Sequence, residues 1–422
     1  MSTRRWSRAS SQVASPAAGS AARSRPDGAR RPRARTLSAL VLTALLIAFT
    51  VPLAGAGARA SAAAKAPGRS VAPPGFSPSS TSWTTPRDGW VFGYSVCWPS
   101  GPGPGGQCPV LLHTTDGGAR WTRVPAPPVR SSPSHDQVRV VFAQRFGDFA
   151  HRRSIGLVTN GLELYATYDG GRTWRAEQLA GARTPVYVGD IAATHRTAYV
   201  VLASGSGQDK RTEVFRTPIG ERAWAAVPGI RLADNGGGVY ASGSLAARGS
   251  SVAVSLGQVF SPTRYWTSSD DGRAWTSRSA PCRQEASTDL GLSGAGDVYA
   301  LCSFNPGRGR MDKDVRLAGE GGTFTTVGTA PATGITTGFA VSPHGTPAVG
   351  ATGGDESFVH ASFDGGRSWQ TTMAVPERGP VYDLAFTDDL HGTLVAGYAD
   401  LHTSQLFRTD DGGRTWEPFT AG

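Results

Sequence analysis

The chain has 422 residues and a formal net charge of +10, from 42 Lys and Arg against 32 Asp and Glu. Residues 1–62 hold ten Arg against the single acid Asp27, so the remainder carries 32 basic and 31 acidic groups. A body so close to neutral has no electrostatic footprint for DNA or RNA, which excludes nucleic acid as the expected partner.

Residues 1–36 are rich in Arg, Ser, Ala and Pro with no apolar period, and are expected to be disordered. The apolar run 37–53 follows this basic stretch, and small residues then end in Ala58-Arg59-Ala60 or Ala60-Ser61-Ala62. Segment 37–62 therefore predicts an export signal, either cleaved or retained as an N-terminal membrane anchor. No Cys follows the run closely, which argues against a lipoprotein. Residues 63–74 are a Pro/Gly/Ser linker. From 75 onward short alternating segments and Gly-rich turns replace any helical period. The first unit reads as strand 81–85, turn Pro86-Arg87-Asp88-Gly89, strand 90–96, a loop, strand 110–114, an eight-residue turn and strand 121–124.

That eight-residue turn, here called the box, organises the rest. Its fullest form is Thr167-Tyr168-Asp169-Gly170-Gly171-Arg172-Thr173-Trp174, with near-copies at 114–121, 268–275, 362–369 and 409–416. The Asp carboxylate accepts N–H groups of the turn, the Gly supplies a positive φ, and the Trp covers the hairpin. Two worn copies fill the register. Thr217-Pro218-Ile219-Gly220-Glu221-Arg222-Ala223-Trp224 has lost its Asp, and Gly319-Glu320-Gly321-Gly322-Thr323-Phe324 has lost its Asp and put Phe for Trp. The box aromatics at 121, 174, 224, 275, 324, 369 and 416 are 53, 50, 51, 49, 45 and 47 residues apart, close to the period of a four-stranded propeller blade. The expected fold is all-β, a seven-bladed β-propeller over 75–422 with blades at 75–124, 137–178, 184–228, 237–279, 284–328, 333–375 and 379–420.

The box resembles the Asp-box, or BNR, repeat of sialidases, sortilin-type receptors, xyloglucan hydrolases and photosystem II assembly factors. That resemblance implies that the box joins the two outer strands of each blade, and that Asp116, Trp121, Asp169, Trp174, Asp270, Trp275, Asp364, Trp369, Asp411 and Trp416 are structural. A motif repeated in every unit is not one active site, so no box Asp is a catalytic candidate. The phrase Asp88-Gly89-Trp90-Val91-Phe92-Gly93 ahead of a box is similar to the photosystem II assembly factor-like group of exported single seven-bladed rings.

Chemistry is harder to find. Cys97 and Cys108 bracket the Gly/Pro loop 98–107 and are expected to form a disulfide worth about 2–3 kcal/mol in the chain-entropy view. Cys282 and Cys302 are left to each other, and all four follow the signal, as in an oxidising compartment. No metal-ligand spacing appears among the Cys and His, and no cofactor is expected. Phe215-Arg216-Thr217-Pro218 is similar to the Phe-Arg-Ile-Pro motif of sialidases. In blade register, however, it coincides with Phe407-Arg408-Thr409, a strand leading into a box. Trp98 is a loop aromatic of the kind that stacks on sugars, though loop packing is the expected account of it.

These features predict an exported, monomeric, non-catalytic binding or assembly scaffold for a protein or glycan partner outside the cytoplasm, with a sialidase-like glycoside hydrolase as the alternative. A hydrolase should gather Asp, Glu, Arg and Tyr in the central mouth, and a scaffold should not. Loops between second and third strands, at 98–107, 204–211, 305–314 and 353–356, share one face with the interblade loops at 125–136 and 229–238. They carry the candidate partner-face residues Asp209, Arg211, Arg308, Arg310, Asp312, Asp355 and Glu356, because variable loops read partners on a rigid scaffold.

Overall fold

A computed structural model describes residues 71–97, 106–131, 137–144, 154–184, 186–206, 209–233, 242–258, 261–283, 286–307, 310–354, 356–376, 379–398 and 403–421. The expected disordered region, the export segment, most of the linker, Trp98, Arg308 and Asp355 lie outside those residues. Among the described residues no helix is long and apolar enough to cross a membrane.

The strands form seven four-stranded antiparallel sheets, each of four consecutive strands in simple up-and-down order. This is a seven-bladed β-propeller, with strands spanning 77–124, 139–176, 186–233, 242–278, 287–330, 335–375 and 381–419 in blades 1 to 7. Among the described residues no strand is exchanged between the two ends of the chain, and the hydrogen bonds joining blade 7 to blade 1 each involve a side chain. Ser80 and the N–H of Thr81 donate to Asp383 at 3.2 and 2.5 Å, and the Thr81 and Thr393 hydroxyls lie 3.0 Å apart.

Each blade interface owns one apolar cluster, because alternate residues of every strand face opposite neighbours. Leu111, Val140 and Phe142 fill the 1–2 interface, Leu157, Val188 and Phe215 the 2–3 interface, and Val91, Val395 and Leu406 the 7–1 interface. Packing of this kind, at roughly 25 cal/mol per Å² of apolar area, is the main force holding the ring together.

Two disulfides join Cys97 to Cys108 and Cys282 to Cys302. They fit an oxidising, extracytoplasmic environment.

The expected loop at 305–314 is instead strand. Val298–Gly307 and Arg310–Ala318 pair as far as Gly307 opposite Arg310. Within it Lys313 is fully buried, and its ammonium donates to the carbonyls of Met311, Pro331, Thr333 and Gly334 at 2.8 to 3.2 Å. Burial pushes that amine down to about 8, and the four carbonyls supply the partners a buried cation needs. The expected loops at 204–211 and 353–356 are hairpin connections of blades 3 and 6, with only their end residues Ser204, Arg211, Gly353 and Glu356 in strands.

Candidate functional site

The five full boxes share one hydrogen-bond pattern. The box hydroxyl accepts the N–H of the second turn residue after the Asp, at 2.9 Å for Gly118, Gly171 and Gly272, 2.7 Å for Gly366 and 2.8 Å for Gly413. It donates to the Asp carboxylate, which also takes one or two N–H groups further on, such as Arg172 at 3.0 Å and Thr173 at 2.9 Å for Asp169. Where the seventh residue bears a hydroxyl, as at Thr173, Ser368 and Thr415, it closes on the second carboxylate oxygen at 2.6 Å. The Ser368 hydroxyl and N–H and the Ser362 hydroxyl hold Asp364 far below the usual carboxylate range. At Asp169 and Asp411 burial pulls upward and the same donors outweigh it. Trp121 and Trp416 are buried and Trp174, Trp275 and Trp369 half-buried against neighbouring strands. The carboxylates are occupied by their own turns and have little left for chemistry.

The central channel is different. Its wall is the first strand of each blade, running from the loop face to the box face. At one level four of these strands are stitched to the next blade, a side chain of each accepting the next blade's N–H. Asp383 holds Thr81 as above, Ser80 holds Val140 at 3.0 Å, Asp190 holds Leu245 at 2.7 Å and Ser244 holds Leu290 at 3.0 Å. In this register Ser80, Arg139, Asp190, Ser244, Asp289 and Asp383 occupy equivalent places. Three carboxylates and one guanidinium therefore face the same channel.

Their environments separate them. Asp190 and Asp383 spend their oxygens on backbone, Asp190 also accepting its neighbour Ile191 at 2.8 Å. Asp289 accepts no hydrogen bond among the described residues. Burial pushes Asp190 up to about 6, against the Leu245 N–H and the Arg139 charge. Burial and then the charge of Asp190 push Asp289 up to about 6, with Arg139 pulling it back. Burial also raises Asp383, opposed first by Arg139. All three remain partly reachable by water. Arg139, Tyr187, Gln137, Ser244, Asp190 and Asp289 line a cavity of about 210 Å³ in this wall.

At the opposite end Arg248 reaches across from blade 4. Its guanidinium donates to the carbonyls of Leu292 at 3.0 Å, Val341 at 3.0 Å and Phe386 at 3.3 Å, which end the inner strands of blades 5, 6 and 7. That places one side chain across the box-face end of the channel on the side of blades 4 to 7.

The loop-face candidates sit further out, at the hairpins of second and third strands. Asp209 pairs with Arg183 at 2.9 Å, and Arg211 is drawn to Glu213 at 2.7 Å and to the Gly181 carbonyl. Arg310, Asp312 and Glu356 are exposed. These residues belong to blades 3, 5 and 6 and do not converge. Arg216 of the sialidase-like tetrapeptide donates to the Gly272 carbonyl and acts as a strand residue.

Sequence reasoning passed over the channel residues, although a signal existed. Arg139, Asp190, Asp289 and Asp383 precede the box aromatics Trp174, Trp224, Phe324 and Trp416 by 35, 34, 35 and 33 residues. Stacking the units on their boxes would have put all four in one column.

The chain matches no protein-family model and no curated protein sequence. Among solved structures, a puromycin hydrolase mutant superposes with a TM-score of 0.54 at 13% identity, over 82% of this chain and 54% of that one. The chain thus spans about half the length of that hydrolase. YCF48 from Cyanidioschyzon merolae gives 0.42 at 14% identity, over 66% of this chain and 84% of that one. The Hadza microbial sialidase Hz136 gives 0.43 at 14% identity, over 71% and 73%. At these identities the likeness is one of fold, and proteins with different roles share it.

Proposed function

We propose that this chain is an exported, non-catalytic binding propeller that takes a protein or glycan partner on its loop face, at the open mouth of the central channel. The observation that carries this reading is the division of labour among the channel carboxylates. Asp190 and Asp383 are consumed in stitching blades together, while Asp289 and Arg139 face the cavity with charge to spare. A buried site of fixed dipoles and charges on rigid strands binds without reorganising. The boxes support membership of the Asp-box repeats, and the single exported ring is similar in plan to the photosystem II assembly factor-like group, without implying a photosystem as partner. Export would use segment 37–62, and the two disulfides suit the compartment it leads to.

A second reading has one observation in its favour. Two neighbouring carboxyls with values near 6 resemble an acid and a base of a glycoside hydrolase. The backbone bonds of Asp190 weigh against it, since an acid held by N–H donors is poorly placed to trade protons.

The test is affinity capture from envelope and medium fractions of the native host, comparing the wild type with an Arg139→Gln/Asp289→Asn double variant of unchanged melting temperature. Loss of the captured partner in the double variant is expected, and equal capture rejects the reading. In parallel, turnover of fluorogenic glycosides, sialosides included, that disappears in Asp289→Asn would replace binding by hydrolysis.

A further inference from the structure

Four departures from the repeat meet in one place, the cleft between blades 4 and 5 on the box face. The third-strand position occupied by Leu111, Leu164, Val214, Val359 and Leu406 in five other blades is Tyr265 in blade 4. All five are buried aliphatic residues. Tyr265 is only 1% exposed, and its hydroxyl has no hydrogen-bond partner among the described residues. Leaving a buried hydroxyl unpaired is destabilising where an aliphatic side chain is not, so packing alone does not account for it.

The second departure is Ala274, which replaces the hydroxyl that closes on the second carboxylate oxygen in three other boxes. Asp270 accepts the N–H groups of Arg273 and Ala274 and the Ser268 hydroxyl on one oxygen. Its other oxygen is left without the partner that Asp169, Asp364 and Asp411 have. The third and fourth departures are in the worn box of blade 5, where Gly319 stands for the Asp and Phe324 for the Trp. Phe324 meets Tyr265 edge-on at 5.2 Å and carries no indole N–H to offer its hydroxyl. Tyr265, Ala274, Asp270 and Gly319 all line one cleft of about 470 Å³, within the roughly 300–1,000 Å³ span of ligand sites.

We infer that this cleft binds a neutral saccharide unit, a site separate from the channel mouth. Arg278 crosses the cleft and donates to the Gly321 carbonyl at 2.9 Å, leaving further N–H groups to donate. Asp270 and Asp297 accept, and the hydroxyls of Tyr265, Ser251 and Thr267 do both. Vicinal hydroxyls match such an alternation of donors and acceptors. Two carboxylates disfavour an anion, and an apolar ligand would leave these groups dry and unpaired.

Saturation-transfer NMR of the full chain with xylotriose, cellotriose, maltotriose and chitotriose tests this. At least one trisaccharide is expected to bind the wild type. Tyr265→Phe is expected to weaken it at least about tenfold, with the melting temperature unchanged or higher. Ala274→Thr, which restores the missing turn hydroxyl, is expected to weaken binding as well. The Arg139→Gln/Asp289→Asn variant is expected to bind the sugar like the wild type, so the two sites can fail separately. The inference is overturned if none of the four binds, if Tyr265→Phe binds equally, or if the channel variant alone abolishes binding.

Discussion

The box aspartates and the channel aspartates are the same residue type in the same fold, yet their carboxyls are displaced in opposite directions. In the boxes, hydroxyl and N–H donors crowd a carboxylate at the surface, and ionisation is favoured. In the channel, burial dominates, Asp289 has no hydrogen-bond donor among the described residues, and the neutral form is favoured relative to an exposed carboxyl. Donor count against desolvation decides the outcome.

Breaking the stitch should show the largest difference. Asp383→Ala leaves the Thr81 N–H and the Ser80 hydroxyl without their acceptor inside the ring, and should cost about 2–3 kcal/mol by urea denaturation. Asp169→Ala removes more hydrogen bonds and should cost only about 1 kcal/mol, because water can reach the orphaned donors. Equal losses would show that the channel is as wet as the surface.

A pH titration sharpens the contrast. Asp190 and Asp289 have folded-state values near 6, above the unfolded value, so the folded chain binds more protons between about 4 and 6. Their contribution is therefore favourable at low pH and is lost as pH rises through 6. The box carboxyls are lowered, so theirs is present at neutral pH and lost below about 4. The melting temperature should rise from pH 7 to 5 and fall again below 4. Asp289→Asn should flatten the upper limb and leave the lower one intact, as calorimetry across that range would show.

The smallest effect belongs to Asp271. It occupies the box place held by Gly117, Gly170, Gly365 and Gly412, with φ 58°, and one of its buried oxygens has no partner. Asp271→Gly should raise stability by about 0.5–1 kcal/mol, read from the melting temperature. A loss would mean that the 3.7 Å pairing with Arg196 outweighs the backbone strain.

The ring was legible because its signal is local and repeated. Trp, Asp and Gly recur at fixed offsets within eight residues, and even the copies at Trp224 and Phe324 kept the register. The channel was not, because Asp190, Asp289 and Asp383 lie on strands of different blades, each in unremarkable local sequence. Only closure of the ring brings them around Arg139. The loop at 305–314 was misjudged for a related reason: Lys313 reads as a solvated charge until the carbonyls of Pro331, Thr333 and Gly334 are folded over it.

Arg248 gathers four of the seven blades on one side chain. The inner strands of blades 5, 6 and 7 end on a single guanidinium that blade 4 supplies, so one substitution there would release all four from a common tie.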